Sequence, residues 1–450
     1  MNDADGDTFA QYYFFMKKLL PIITAFLLCV FTPKQNLKAQ FLMDMVDTTN
    51  DIGKGLLDIY KNYNHIHIGG YIQPQYQVAS LPGTKSYNGG DFSTYSDSRF
   101  MLRRGRIRFD YVRYAKNKLP LLQFVYQFDG TERGVFIRDF WGRIFDTKYQ
   151  LFSVTTGMFA RPFGYELNLS SADRESPERG RMSQILMKTE RDIGAMVSFE
   201  PRKKDNPLHY FKLDAGYFNG PGLTATTDYD SYKDFIARAS LKPYPVSKNI
   251  FVSAGFSFLQ GGLRQNTKYL YTTNDNGSGK NYTVDSSADN VGSHLSRRYR
   301  GADVQLKVKE KNGQTELRGE YWFGKQPGSA ASSETPSAPL NEPYYLRNFN
   351  GAFVYLLQSF GKSKNQLGFK MDFYDPNKDV KNTEIGTAAT NFLPADIKYT
   401  TYSFGYNYYV NENLKFLCWY DLVKNEKTQL TGYTGDVKDN IFTLRIQYRF

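Results

Sequence analysis

The stretch FTLRIQYRF (442–450) alternates strictly, with Phe442, Leu444, Ile446, Tyr448 and Phe450 on one side and Thr443, Arg445, Gln447 and Arg449 on the other. A period of two is that of a β-strand whose faces meet different surroundings. The pattern recurs along the chain. Ile66, Ile68, Ile72 and Tyr76 oppose His65, His67, Tyr71, Gln73, Gln75 and Gln77. Ile107, Phe109 and Tyr111 oppose Arg104, Arg106, Arg108 and Asp110, and Leu122, Phe124, Tyr126 and Phe128 oppose Gln123 and Gln127. Further stretches fall near 134–146, 150–160, 193–201, 208–218, 234–243, 249–260, 300–310, 314–324, 346–358, 364–375, 397–410 and 414–424. The expectation is sixteen strands of about 9–14 residues, the length that crosses an outer membrane at a tilt.

The connections sort by length. Long ones, rich in Gly, Ser and Asn, fall near 79–99, 161–192, 219–233, 261–299, 325–345, 376–396 and 425–438. Short ones, several with turn residues such as AKNK, EKNG and NEN, alternate with them, and GTER near 130–133 is the one short outer connection. Long loops at one end and short turns at the other belong to a membrane barrel with both termini on the periplasmic side. A solenoid would show a fixed-period repeat, and none is found. The polar faces argue the same way. In a dry sandwich core each Gln, Arg, Lys and Asp would need a partner, whereas a water-filled lumen solvates them, and such a channel takes about sixteen to eighteen strands. The expected fold is all-β: a 16-stranded antiparallel transmembrane β-barrel over 65–450, with short periplasmic turns and long extracellular loops.

Composition is consistent with this: aromatics make up 16% of the chain, with 35 Tyr and 35 Phe, while the mean hydropathy of −0.54 argues against a bundle of membrane helices. One segment reads as targeting. Lys17 and Lys18 precede an apolar run, Leu19–Phe31, too short to span a bilayer, and a cleavage after Ala39 is expected. Residues 1–15 are acidic and aromatic, unlike a signal, so Met16 is the expected start, and 40–64 is expected to be a short periplasmic segment. Export leaves Cys418 alone, so neither an intramolecular disulfide nor a cysteine metal site is expected. Removing 1–39 takes away four Lys and three Asp, which changes the net charge from +12 to +11. Such an excess points to anionic partners: phosphate, acidic solutes or lipopolysaccharide, with nucleic acid disfavoured by export.

Two constellations carry candidate chemistry. Arg104, Arg106 and Arg108 share one strand face at a spacing of roughly 6.5–7 Å. In a wet lumen they would attract anions, since guanidinium groups stay charged and bind oxyanions bidentately; pairing with acids elsewhere, or with lipid headgroups at the rim, is the competing reading. The long third outer connection, 161–192, mixes Arg161, Arg174, Arg179, Arg181, Lys188 and Arg191 with Glu166, Asp173, Glu175, Glu178, Glu190 and Asp192. Folded inward it would narrow the lumen; exposed, it would be a salt-bridged surface loop. His65 and His67 share a face without a carboxylate or Cys beside them, so lumen-facing polarity explains them better than a metal. No nucleophile motif and no phosphate-cradling Gly loop is found.

These motifs resemble a known family. SRFMLRRGRIRFD, IRDFW (137–141), GMFARPFGYELNLSS (157–171), ERDIGAMV (190–197), GYFNGPG (216–222), RGADVQLKV (300–308) and the terminal IQYRF are together similar to the phosphate-selective porins O and P and their relatives in Bacteroidota-like bacteria. The resemblance implies a sixteen-stranded outer-membrane anion porin, often a homotrimer, without cofactor or catalytic residues. It implies that Arg103 and Arg104 form the early arginine pair and that 161–192 is the inward loop. With Arg106, Arg108, Arg161, Arg179 and Arg191 these make the expected anion-binding constriction. A terminal aromatic such as Phe450 also resembles the signal read by barrel-assembly machinery. The alternatives are a structural or secretion-associated barrel and a barrel hydrolase.

Overall fold

In a computed structural model of the chain, the described residues are 65–450 apart from positions 226, 276, 278, 362 and 389. The expected start, signal peptide and periplasmic segment lie outside them. Strands follow in the order β1 (Ile66–Ala79), β2 (Ser98–Tyr114), β3 (Pro120–Thr131), β4 (Gly134–Phe145), β5 (Phe152–Ala160), β6 (Arg191–Phe199), β7 (Phe211–Phe218), β8 (Asp234–Pro245) and β9 (Ile250–Arg264). After them come β10 (Leu270–Asp275), β11 (Lys280–Asp285), β12 (His294–Glu310), β13 (Gly313–Gly328), β14 (Tyr344–Phe360), β15 (Asn365–Asp375), β16 (Tyr399–Tyr409), β17 (Leu414–Asn425) and β18 (Ile441–Arg449).

All eighteen belong to one sheet, but β9 pairs directly with β12, so β10 and β11 form a hairpin within an outer loop and sixteen antiparallel strands make the barrel. That hairpin was not expected from the sequence, where its polar residues read as part of a long loop. Its β10 lies parallel to the start of β14, with Leu270 opposite Tyr344.

The first and last strands close the ring, with Ile72 opposite Tyr448 and Gln75 opposite Arg445. Phe450 extends the seam: its N–H donates to the Gly70 carbonyl (3.0 Å) and its carbonyl accepts from the Gly70 N–H (3.1 Å). A Cβ on residue 70 would lie 2.2 Å from the Arg106 carbonyl oxygen and 2.6 Å from the Phe450 ring, so the seam needs glycine there.

Alternation produces the two surfaces. Ile68, Phe124, Ile144, Val197, Val304, Leu317, Val354 and Phe404 are exposed on the outer face, where bilayer hydrocarbon is their solvent. Gln73, Gln75, Asp303, Arg318, Asp372, Lys415 and Arg445 point inward and are buried. The interior is not wholly wet, as the polar faces had suggested. Phe159, Phe218, Ile236, Leu259, Tyr299, Trp322, Phe349 and Tyr374 also point inward, and they pack against Phe163, Leu167, Met182, Ile185, Leu186 and Met187 of the third outer loop. Each such side chain removed from water contributes about 1.5–3 kcal/mol, which fixes this loop inside the barrel.

Candidate functional site

The third outer loop (L3, residues 161–190) leaves β5, folds into the lumen and returns to β6. Its entry is a tight turn at Gly164 (φ +65°), where a Cβ would collide with the Glu320 carboxylate at 2.1 Å. That carboxylate accepts from the N–H groups of Tyr165 (3.0 Å) and Glu166 (2.9 Å). L3 then reaches across to the seam: the hydroxyls of Ser171 and Tyr71 are 2.6 Å apart, and Lys415 donates to the carbonyls of Ala172 (2.9 Å) and Arg174 (3.1 Å). Arg318 grips Glu175 bidentately at 2.8 and 2.9 Å. One short helix, α1 (Arg181–Leu186), sets Met182, Ile185 and Leu186 into the apolar cluster.

Beside L3 stands the early arginine pair. Adjacent residues of a regular strand point to opposite faces, so Arg103 and Arg104 could not both reach the lumen without an irregularity. The register supplies one: Ile72 faces Gly105 and Pro74 faces Leu102, leaving Gln73 alone opposite both arginines. This β-bulge re-aims a side chain, and both guanidinium groups converge on one carboxylate. Arg103 donates to Glu178 at 2.8 and 3.1 Å, and Arg104 donates to it at 2.6 and 3.2 Å. Arg445 of β18 adds a third contact at 2.8 Å. A second bulge, with Gln127 opposite Asp139 and Phe128 opposite Ile137, leaves Arg138 as the extra residue. Arg138 and Asp139 both approach charged groups on the inner side: Arg138 lies 3.5 Å from Asp129, and Asp139 accepts from Arg191 at 3.0 and 3.1 Å.

Burial by itself would raise the Glu178 carboxyl, but Arg103, Arg104 and Arg445 outweigh it and hold it well below the usual carboxylate range. Glu190 stands in the same balance: burial opposes its ionisation, and Arg179, Arg191, Arg138 and Arg106 overcome it.

The seven expected site arginines divide into groups. Arg103 and Arg104 share Glu178. Arg106 is buried, bonded to Asp129 (3.1 Å) and donating to the Ser171 hydroxyl (3.0 Å). Arg191 and Arg179 flank Glu190 at 3.5 and 3.3 Å. Arg108 sits lower, paired with Asp110 at 2.5 Å and half exposed. Arg161 stands apart: it donates to the carbonyls of Gly220 (2.9 Å) and Thr189 and so ties down the root of L3, and burial lowers its pKa to about 10. Arg445, Arg138 and the carboxylates of Glu178 and Glu190 complete the cluster; they were not among the expected site residues. Arg445 was visible on the polar face of the last strand, but only the seam register carries it to Arg104.

Above this cluster a vestibule of about 560 Å³ is lined by Tyr87, Arg103, Arg181, Lys188, Tyr399 and Asp439 among others. Nearer the periplasm lie a cavity of about 300 Å³ bounded by Arg108, Arg143, Arg191 and Lys212, and one of about 540 Å³ bounded by Arg238, Lys307 and Glu316. A closed barrel with an inward loop between an outer vestibule and inner cavities is the plan of a diffusion pore. The chain has the fold of an outer-membrane porin, and its place is the bacterial outer membrane.

Comparison with known proteins supports this. Residues 359–450, the four closing strands with their loops, match the family described as phosphate-selective porin O and P. Among solved structures, the chain is similar to OprB of Pseudomonas putida, with 11% identity, TM-score 0.54, and 90% of this chain and 97% of that one covered. It is also similar to the outer membrane channel DcaP of Acinetobacter baumannii, with 13% identity, TM-score 0.51, and 86% and 97% covered. At such identities the likeness concerns the fold. No curated protein matches the sequence.

Proposed function

We propose that this porin passes small anions, phosphate or polyphosphate among them, by diffusion through the narrowing between L3 and the β18–β1–β2 wall, with no catalytic step. One observation carries the reading: three inward guanidinium groups, Arg103, Arg104 and Arg445, are set against a single carboxylate, Glu178. The excess positive charge stands where L3 narrows the lumen. A pore needs an attractive field at its narrowest point, and binding loose enough for release. The family match supports the choice of phosphate over other anions, and the neighbouring Arg138, Arg191 and Arg106 extend the field along the wall.

We infer a homotrimer embedded among lipid and lipopolysaccharide, with Phe450 at the periplasmic rim as the residue offered to the assembly machinery. A structural, secretion-associated or hydrolase role finds less support. His65 packs on Tyr111 and Tyr114 and His294 on Tyr232, so both rings are engaged in aromatic contacts. The test is a planar bilayer with a KCl gradient. The expected result is ohmic steps with a reversal potential on the chloride side, which moves toward zero in the R103A/R104A double variant. A cation-side potential, or no conductance from folded protein, would overturn the reading.

A further inference from the structure

We propose that Glu178 is a displaceable resident counter-ion in the Arg103–Arg104–Arg445 site, and that competition with it favours doubly charged oxyanions, hydrogen phosphate or sulfate, over chloride. The proposal rests on the anion-pore reading above and adds what sets the charge preference.

The stoichiometry is the first argument. Three arginines surround one carboxylate, and their other acceptors are neutral: the Gln73 amide oxygen to Arg104 (3.0 Å), the Gln75 amide oxygen to Arg445 (2.9 Å) and the Pro177 carbonyl to Arg445 (2.6 Å). Two positive charges are thus left over around Glu178, in a place where Arg104, Arg445 and Glu178 itself have almost no contact with water. Like charges held together away from water are costly, and a second negative charge relieves that cost.

The partners are anchored differently. The arginines stand on paired strands of the barrel wall, whereas Glu178 stands on L3, one residue after Pro177. If one partner leaves, it is the carboxylate. The site is also reachable: Arg103 keeps a quarter of its side chain exposed and lines the outer vestibule. Arg181, three residues beyond Glu178, lines the same vestibule with its guanidinium stacked between Tyr87 (4.8 Å) and Tyr399 (3.9 Å). It offers an arriving anion a first contact.

Valence then decides the competition. A carboxylate brings one charge and two acceptor oxygens. Hydrogen phosphate or sulfate brings two charges and can span guanidinium groups on both strands, while chloride brings one charge and no bidentate geometry. The dianion is therefore the better competitor. Its apparent affinity is still reduced by the fraction of time Glu178 holds the site, which keeps binding weak enough for transport.

The experiment compares the folded wild-type pore with E178Q in planar bilayers, titrating inorganic phosphate and then sulfate against chloride current. Neutralising the competitor is expected to lower the half-blocking concentration of both dianions by roughly tenfold and to raise chloride conductance at low salt. A purely scaffolding Glu178 predicts the opposite sign: the arginines would repel and splay, and block would weaken. An unchanged or raised half-blocking concentration in E178Q therefore overturns the proposal. E178D, which keeps the charge but shortens its reach, is expected to fall between the two, and it gives the same sign of test if E178Q does not fold. A wild-type pore without anion preference would fail the functional reading itself; anion preference with no response to E178Q would remove only the counter-ion role.

Discussion

Two regions of this barrel bury arginine in opposite ways. In the outer cap, where the β10–β11 hairpin packs on the seventh outer loop, Arg347 meets Asp396 at 2.8 Å and neither has any contact with water. The pair is one to one. Asp396 also accepts from the Tyr282 hydroxyl (2.5 Å), the Asn377 amide (3.0 Å) and the Leu393 N–H (2.8 Å), and Arg347 donates to the Ser329 carbonyl (2.8 Å). Around Glu178 the ratio is three to one. Arg104 and Arg445 are almost as buried as Arg347, so burial does not separate the two regions; charge balance does. A balanced, multiply bonded pair holds loops together, whereas an imbalanced cluster keeps a field that a passing ion can use.

The sharpest way to break this contrast is to unbalance the balanced pair. D396A leaves Arg347 buried without its counter-ion, and breaking such a pair costs about 3–5 kcal/mol. The cap should loosen, so that hydrogen exchange across 377–397 rises strongly and protease cuts the seventh loop, while exchange in the barrel strands stays unchanged. Anion preference in bilayers should persist, because Glu178 and its arginines are untouched. If the cap stays protected, the one-to-one pair is not what holds it.

The converse change acts on the imbalance. R445M removes one of the three charges but leaves Arg103 and Arg104 to hold Glu178, so L3 should stay docked and stability should change little. One unit charge near the pathway is worth about 1 kcal/mol through water, or roughly fivefold in anion over cation permeability. A shift of the reversal potential toward zero by that order is expected. A collapse of L3 instead, seen as a jump in conductance, would show that Arg445 is a tether and not part of the field.

Much of this architecture is legible in the alternation. The sixteen barrel strands follow from period-two patterning, because one face meets lipid and the other does not, and the lengths of the connections between them sort the loops to two ends. The site is less legible, for physical reasons. That Arg103 and Arg104 both face inward depends on a bulge, which a strict two-residue period forbids and only the partner strand reveals. Glu178 and Arg445 are distant in sequence and meet because L3 folds back to the closing seam. Tyr299 and Trp322 point into the lumen, where the polar pattern of their strands suggested water; what covers them is Met182, Ile185 and Leu186 of L3, a partner that no local pattern announces. The β10–β11 hairpin is short and polar, stabilised by the cap it packs on and not by membrane.

The smallest effect tests whether the vestibule, with charges of both signs, acts like the cap or like the constriction. Asp439, in the eighth outer loop, lines it. Burial pushes its carboxyl up to about 6, with Arg181 and Lys424 pulling it down and Asp436 pushing it further up. A carboxyl raised above its unfolded value of about 4 disfavours the folded state when ionised. The deficit is present at pH 7, shrinks as pH falls through 6, and is gone below the unfolded value. Acidification therefore removes one negative charge from the vestibule without loosening the loop. Anion conductance should rise between pH 7 and pH 5, by less than about twofold because the vestibule is screened by salt. D439N should already show the higher conductance at pH 7 and lose that part of the pH response. If D439N titrates like the wild type, the vestibule charges are balanced as in the cap, and the field that matters begins only at Arg103.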